Sequence, residues 1–173
     1  MRLAAPTQTL SQTHARCRPM TATKIAYVQA SWHTNITDRC KEAFIEEIQR
    51  QGYKASDVDF FSTPGSLEIP LFSKRLAQTG RYLAVCCSGL VVDGGIYRHE
   101  FVAQAVISGI VQVGLETGVP VLSAVLTPQH FHEHEVHERF FEQHMLVKGK
   151  ELAEACAAII KSTAALDPMP VAQ

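Results

Sequence analysis

Two adjacent glycines and an arginine lie together in the middle of the chain, where they could hold an anion. Gly94 and Gly95 follow an apolar run, and Arg98 comes three residues later. Glycine lets a ligand approach the backbone closely, and the exposed amides at the start of a helix favour a negative charge. A guanidinium adds a permanent charge and a forked donor. The segment therefore predicts a phosphate-binding turn between a strand and a helix.

Two further side chains could recognise a flat, polar ring. Trp32 is the single tryptophan and lies in a predicted loop, where an indole either offers a stacking surface or anchors the loop to the core. Glu68 lies near the start of a predicted helix, where a carboxylate either accepts N–H groups of a ring or stabilises the helix dipole. Both interpretations stay open for each residue at this point.

A histidine-rich segment follows the last predicted strand. Its imidazoles could be solvated, could donate protons or contact phosphate near neutral pH, or could bind zinc. The zinc-protease motif HExxH is absent, because Val136 occupies the position where that motif requires its second histidine. A zinc-dependent hydrolase nevertheless remains an alternative. It rests on His130, His132, His134, His137 and His144.

Composition and missing motifs disfavour several other classes of function. The chain carries 16 basic and 17 acidic side chains, which gives no support for a nucleic-acid or membrane-surface partner. No apolar run approaches the roughly 20 residues that a membrane span needs. The motifs GxGxxG, GxxxxGK[ST] and GxSxG are missing, so a Rossmann dinucleotide site, a P-loop and a serine-hydrolase elbow are disfavoured.

The cysteines favour a reducing compartment. Their number is odd, their spacing is scattered and CxxC is absent, so the sequence does not indicate a disulfide framework. We expect reduced, buried thiols and a cytoplasmic location. The cysteines are Cys17, Cys40, Cys86, Cys87 and Cys156.

An alternation of strands and helices must position these residues. Strands are predicted over 24–30, 53–61 and 119–126, and a further buried strand begins at Tyr82, before the glycine turn. A helix is predicted after each strand. The order βαβαβαβα with near-continuous apolar strands predicts an α/β fold, in which a parallel sheet of about four strands is covered by helices on both faces.

The chain is predicted to form one domain over residues 24–162. Residues 1–23 carry three arginines and no acidic side chain, and we expect a disordered N-terminal tail there, with a transit peptide as the alternative. Residues 163–173 are expected to form a C-terminal tail.

Three predicted loops should meet at the carboxyl edge of the sheet, where open α/β folds bind their ligands. They span residues 31–35, 64–68 and 88–98, and the segment after Leu126 should join them. Together they hold an aromatic ring, a carboxylate, a glycine turn and basic groups. This combination suits a planar, polar ring that carries, or reacts with, a phosphate.

Several motifs now resemble one family. Residues 64–70, PGSLEIP, resemble the PGAxEIP motif of 6,7-dimethyl-8-ribityllumazine synthases. Residues 89–102, GLVVDGGIYRHEFV, resemble the family segment GxVIxGxTxH[FY][DE]xV. Residues 118–121 and 125–127 resemble its last strand, and Lys148 with Gly149 resembles its closing helix. The resemblance covers roughly residues 24–162.

The resemblance implies a flavodoxin-like three-layer αβα sandwich and an enzyme of riboflavin biosynthesis. Members condense 5-amino-6-(ribitylamino)uracil with 3,4-dihydroxy-2-butanone 4-phosphate through imine formation, phosphate loss and ring closure. No metal or other cofactor is expected. The family forms homo-oligomers built from pentamers, which occur singly, as decamers or as shells, and its active site lies between neighbouring subunits.

The resemblance also implies roles for individual residues. Trp32 occupies the position of a stacking aromatic, and Arg98 and His99 are the expected catalytic residues. The other expected substrate-binding residues are Ser66, Leu67, Glu68, Val91, Val92, Ser123 and Lys148. The expected phosphate-binding residues are Gly94, Gly95, Ile96, Arg98, His137 and Arg139.

Two positions depart from the family pattern. Arg98 aligns with the proton-transferring histidine of the family, and His99 follows it. His137 aligns without gaps with the phosphate-binding arginine, and Arg139 is its rival. A variant branch with Trp, Arg and His at these positions resembles this chain. Because arginine stays protonated, a weakly active paralogue that binds lumazine or flavin is an alternative function.

Overall fold

The structure is a computed structural model that describes residues 22–93, 98–128 and 135–166, with the backbone alone for 135–137. Strands and helices alternate along these residues. In chain order they are β1 (Lys24–Ala30), α1 (Thr34–Arg50), β2 (Val58–Thr63), α2 (Ile69–Gln78), β3 (Tyr82–Leu90), α3 (His99–Thr117), β4 (Val121–Leu126) and α4 (Glu135–Ala164). The predicted alternation is confirmed.

The described strands form one parallel sheet in the order β2-β1-β3-β4. This is the flavodoxin-like order, in which the chain reverses direction across the sheet between β1 and β3. Successive side chains point to opposite faces of a strand. Ile25 and Tyr27 accordingly lie in one core with α1 and α4, and Ala26 and Val28 lie in the other with α2 and α3. The predicted three-layer αβα sandwich is confirmed.

Two glycines allow the helices of each outer layer to approach closely. A Cβ atom on Gly149 of α4 would overlap the backbone carbonyl oxygen of Cys40 in α1. A Cβ atom on Gly109 of α3 would lie 2.8 Å from Cβ of Pro70, which occupies the first turn of α2. A real Cβ atom does not tolerate such distances, so both helix pairs depend on glycine at the point of contact.

Helix α4 begins earlier than the sequence indicated, because the histidine-rich segment after β4 was interpreted as a loop. The helix runs from Glu135, so part of that segment is its first turns. Phe141 and Met145, four residues apart, pack into the core beside α1 and continue the apolar stripe of the later turns. The polar residues between them hide this stripe in the sequence.

Two strands are shorter than predicted. β2 begins at Val58, because residues Ala55–Asp57 form a short 3₁₀ turn in which the Lys54 N–H donates to the Asp57 carboxylate at 2.9 Å. β4 begins at Val121, because Gly118 is left-handed (φ 68°) and Pro120 has no N–H to donate to the sheet.

Four cysteines lie within the described residues, and each is buried and free. Burial raises the pKa of Cys40 to about 11 and that of Cys87 to about 12. These thiols stay protonated at neutral pH and therefore act as small apolar side chains of the core. In the described ranges no helix is both long and apolar enough to cross a bilayer.

Candidate active site

A cavity of about 480 Å³ lies at the carboxyl ends of β1, β2 and β3, where the sequence predicted a ligand site. Side chains from three different loops line it, so the fold brings together segments that are far apart in the chain. The lining residues are Trp32, Pro64, Gly65, Ser66, Leu67, Glu68, Leu90, Val91, Val92, His99 and Val102.

The loop between β1 and α1 presents Trp32 at the edge of this cavity. The side chain is 67% exposed, so the alternative that it anchors the loop to the core is wrong. On one side of it, the Ser31 N–H donates to the Thr63 carbonyl at 2.9 Å. On the other side, His33 is left-handed (φ 54°), and its carbonyl accepts from the Thr37 N–H at 3.0 Å. The indole side chain is therefore exposed, while hydrogen bonds on both sides of Trp32 hold the backbone of its loop.

The turn after β2 places Glu68 beside the indole. The Glu68 carboxylate accepts the Gly65 N–H at 2.9 Å, and the Thr63 hydroxyl donates to the Gly65 carbonyl at 2.9 Å. A Cβ atom on Gly65 would lie 3.1 Å from the Glu68 Oε2 and 4.0 Å from the indole Cε2 of Trp32. Glu68 thus fixes its own turn and also faces the cavity as an acceptor, so its two predicted roles are compatible.

The end of β3 forms the floor of the cavity. A Cβ atom on Gly89 would lie 2.8 Å from the Ser66 hydroxyl oxygen, so glycine here lets the Ser66 turn pack against the strand. The Val91 N–H donates to the Leu126 carbonyl of β4 at 2.8 Å. Because this donor is already used within the sheet, Val91 can form a hydrogen bond with a ring only through its carbonyl oxygen.

The two predicted catalytic residues, Arg98 and His99, differ in their position relative to the cavity. His99 is its first residue, is 9% exposed and lines the cavity, with Nδ1 at 3.6 Å from the Glu100 carboxylate. Arg98 precedes the helix, is exposed and does not belong to the described lining. The predicted phosphate turn, residues 94–96, falls outside the described residues. His99 is therefore the titratable imidazole that faces the cavity from α3.

Two predicted substrate-binding residues lie elsewhere on the chain. Ser123 and Lys148 line a second cavity of about 380 Å³, which lies between the edge strand β4 and α4 and shares no described lining residue with the first. The Lys148 ammonium donates to the Glu151 carboxylate at 2.7 Å. The two residues are thus brought together with each other and not with Trp32.

The basic groups of α4 are only partly described. Arg139 is exposed on this helix, and the side chain of His137 lies outside the described residues, as do His130, His132 and His134. The His144 ring stacks on Phe140 with centroids 6.0 Å apart. Among the described residues no group of three His, Cys, Asp or Glu side chains is arranged to hold a metal ion.

Sequence reasoning missed four of the residues that line the first cavity. Pro64 and Gly65 directly precede the predicted Ser66, and Leu90 directly precedes Val91, so their positions in the same motifs could have revealed them. Val102 is the fourth of these lining residues. It lies three residues after His99, and residues three apart on a helix share a face.

Comparison with known proteins now identifies the family. The family model described as 6,7-dimethyl-8-ribityllumazine synthase matches residues 22–164. The chain belongs to this family. It is 55% identical over 143 residues to the 6,7-dimethyl-8-ribityllumazine synthase of Rhodococcus erythropolis, which covers 83% of this chain and 92% of that protein.

Other relatives carry the name 6,7-dimethyl-8-ribityllumazine synthase 2. That of Pseudomonas syringae pv. tomato is 51% identical over 143 residues, which is 83% of this chain and 84% of that protein. That of Bradyrhizobium diazoefficiens is 54% identical over 134 residues, which is 78% of this chain and 80% of that protein. Membership confirms the predicted function, a transferase of riboflavin biosynthesis, and favours neither the zinc hydrolase nor the weakly active paralogue.

Proposed function

We propose that the chain condenses 5-amino-6-(ribitylamino)uracil with 3,4-dihydroxy-2-butanone 4-phosphate to form 6,7-dimethyl-8-ribityllumazine. The observation that carries the proposal is the cavity at the carboxyl edge of the sheet, in a chain that matches the family over residues 22–164. An amine of the pyrimidine attacks the ketone and water leaves to give an imine. Phosphate is then eliminated, and the second amine closes the ring with loss of a second water.

The pyrimidine lies between Trp32 and the floor of the cavity. The exposed indole face stacks on the ring. The carbonyl of Val91 accepts hydrogen bonds at the edge of the ring, and the backbone of Val92 accepts or donates there. Glu68 accepts N–H or hydroxyl groups of the pyrimidine and its ribityl chain. Support comes from the lining of the cavity, to which both the indole and the carboxylate belong. Ser66 and Leu67 complete this wall.

His99 moves the protons of the reaction, and Arg98 binds the phosphate. The role of His99 is supported by its position in the lining of the cavity, and an imidazole can both donate and accept a proton near neutral pH. Arg98 stays charged, so its guanidinium suits a phosphate that is bound and then expelled as a dianion. Gly94, Gly95 and Ile96, which lie outside the described residues, are the other phosphate-binding residues of this proposal.

The active site is completed by a second copy of the chain in a homo-oligomer built from pentamers, alone or paired as a decamer. A neighbour supplies Ser123 and Lys148, together with Arg139 or His137 for the phosphate. Support comes from the separate cavity of the same chain in which Ser123 and Lys148 lie. The outer face of α3 supports association, because its large apolar side chains are exposed. They are Phe101, Ile107, Val111 and Leu115.

The enzyme works in the cytoplasm on small-molecule substrates, without a nucleic-acid or membrane partner. The buried free thiols of the described core are compatible with a reducing compartment. The catalytic domain spans the predicted residues 24–162, and α4 extends it to Ala164. Most of the two predicted tails, residues 1–23 and 163–173, lies outside the described residues. The chain represents the variant branch of the family, with Trp32, Arg98 and His99 as its marks.

The test is a two-substrate assay on untagged protein, read by the fluorescence of the lumazine product. Product should form only when both substrates are present, and EDTA should leave the rate unchanged. A preparation that binds lumazine without forming it would favour the paralogue. Loss of activity in EDTA, restored by zinc, would favour metal chemistry on the histidine segment.

A further inference from the structure

Trp32 lies on a loop of only three residues between β1 and α1, so the positions of these two elements determine where the indole is held. β1 is fixed on both sides, because Gln29 near its end pairs with Ser62 of β2 and with Ser88 of β3. Helix α1 begins immediately after the loop. The interactions that hold the first turns of α1 against the end of β1 therefore affect the orientation of Trp32.

One partly buried hydrogen bond contributes to this attachment, in addition to the packing of α1 against the sheet. The Gln29 amide nitrogen donates to the Asp38 carboxylate of α1 at 2.8 Å, across the loop that carries Trp32. Gln29 is 8% exposed, and within the described part of the chain its amide oxygen has no hydrogen-bond partner. The amide consequently depends on Asp38 for its orientation. Lys41 also donates to Asp38 at 2.9 Å and keeps the carboxylate charged as an acceptor.

We propose that Gln29 and Asp38 are positioning residues for the substrate pyrimidine, because their hydrogen bond holds the Trp32 loop in the orientation that stacks on the ring. Neither residue lines the described cavity, so they act through Trp32 and not on the substrate. The inference rests on the proposed stacking role of Trp32. It assigns part of the specificity of the site to a partly buried amide–carboxylate pair behind the loop.

Trp32 is the only tryptophan, so its emission reports the loop directly. Asp38→Ala should lower the emission anisotropy of Trp32 in the ligand-free protein and raise KM for the pyrimidine about three- to tenfold. KM for the butanone phosphate should change much less. Asp38→Asn keeps an acceptor for the Gln29 amide and should restore most of the anisotropy and of the KM.

Gln29→Met is a second variant that tests the same hydrogen bond if Asp38→Ala fails to fold. Methionine preserves the volume of glutamine and leaves no buried amide without a partner, so the variant should fold and still show the loosened Trp32. Glu42→Ala is the matched control. It removes a carboxylate of α1 that also pairs three residues away, at 2.8 Å from Arg39, but has no described link to β1, and it should change neither readout.

Unchanged anisotropy in Asp38→Ala and Gln29→Met would overturn the proposal. An equal rise of KM for both substrates would also overturn it, because general loosening of the site would then explain the effect. An equal response of the control Glu42→Ala would overturn it as well. If the wild-type chain formed no lumazine, the proposed function would fail, while the anisotropy series in the ligand-free protein would still decide the positioning role.

Discussion

Replacing Trp32 by alanine should weaken binding of the lumazine product, and the structure gives the expected size. A packed tryptophan buries about 150–250 Å². With 67% of the side chain exposed, about 100–170 Å² stays open to a ligand, and a ring stacked on one face covers about half of that. Removing about 50–80 Å² from water contributes about 1.3–2 kcal/mol at about 25 cal/mol per Å². Trp32→Ala should therefore raise Kd about 9- to 30-fold.

The assay is a titration that follows the emission of the lumazine, because the variant has no tryptophan of its own. Trp32→Phe should keep most of the affinity, since a phenyl ring also stacks. Leu166→Ala is the control, because Leu166 is 83% exposed after α4 and lines neither cavity. A change in Kd of less than about threefold in Trp32→Ala, which is about 0.7 kcal/mol, would refute the stacking argument.

Three further predictions concern the chemistry, the packing and the acid stability. Arg98→Ala should raise KM for the butanone phosphate more than KM for the pyrimidine, with partial recovery in Arg98→Lys, whereas His99→Asn should mainly lower kcat in steady-state kinetics. Gly149→Ala should lower the free energy of unfolding in urea by about 1–3 kcal/mol, because its methyl group overlaps the α1 backbone. The hydrogen bond from Lys24 lowers the pKa of Asp59, so the stability that this carboxylate contributes is present above its unfolded pKa and is lost as pH falls through the folded one. Asp59→Asn should therefore be less stable at pH 7 and lose less on acidification.

Each of these predictions has a result that contradicts it. A lower kcat in Arg98→Ala together with a higher KM for the butanone phosphate in His99→Asn would assign Arg98 to the chemical step and His99 to phosphate binding. Gly114→Ala is the control for Gly149→Ala, since a Cβ atom there would lie at an ordinary 3.6 Å from its nearest neighbour. An equal loss of stability in both would assign the effect to something other than overlap. Parallel acid unfolding of wild type and Asp59→Asn would remove Asp59 from the account of acid stability.

The alternation of elements could be predicted because buried parallel strands are nearly continuous apolar runs, bounded here by Gly52, Gly80 and Gly118. The start of α4 could not, since the residues that pack it into the core near its start, the partly buried Phe141 and the buried Met145, lie among charged and histidine residues. A polar sequence with an apolar residue at every fourth position resembles a loop until the helix is seen against α1.

The site could be predicted as a set of residues but not as an arrangement. Motif order placed Trp32, Glu68 and Val91 at one edge of the sheet, where the structure also has them. The separation of Ser123 and Lys148 follows from β4 being the edge strand and from the path of α4, which no local pattern specifies. The hydrogen bond from the Val91 N–H to β4 depends on the register of the two strands, so it likewise cannot be predicted from the sequence of one segment.

The central claim is that two cavities, one from each of two neighbouring chains, form one site that makes lumazine. Trp32→Ala alters one cavity and Lys148→Ala the other, so each variant alone should be nearly inactive at substrate concentrations well below KM. When the two are dissociated, mixed in equal amounts and reassembled, random neighbours should restore about a quarter of the wild-type sites. Lumazine formation at about that level would support the shared site. A rate no higher than the mean of the two separate variants would contradict it.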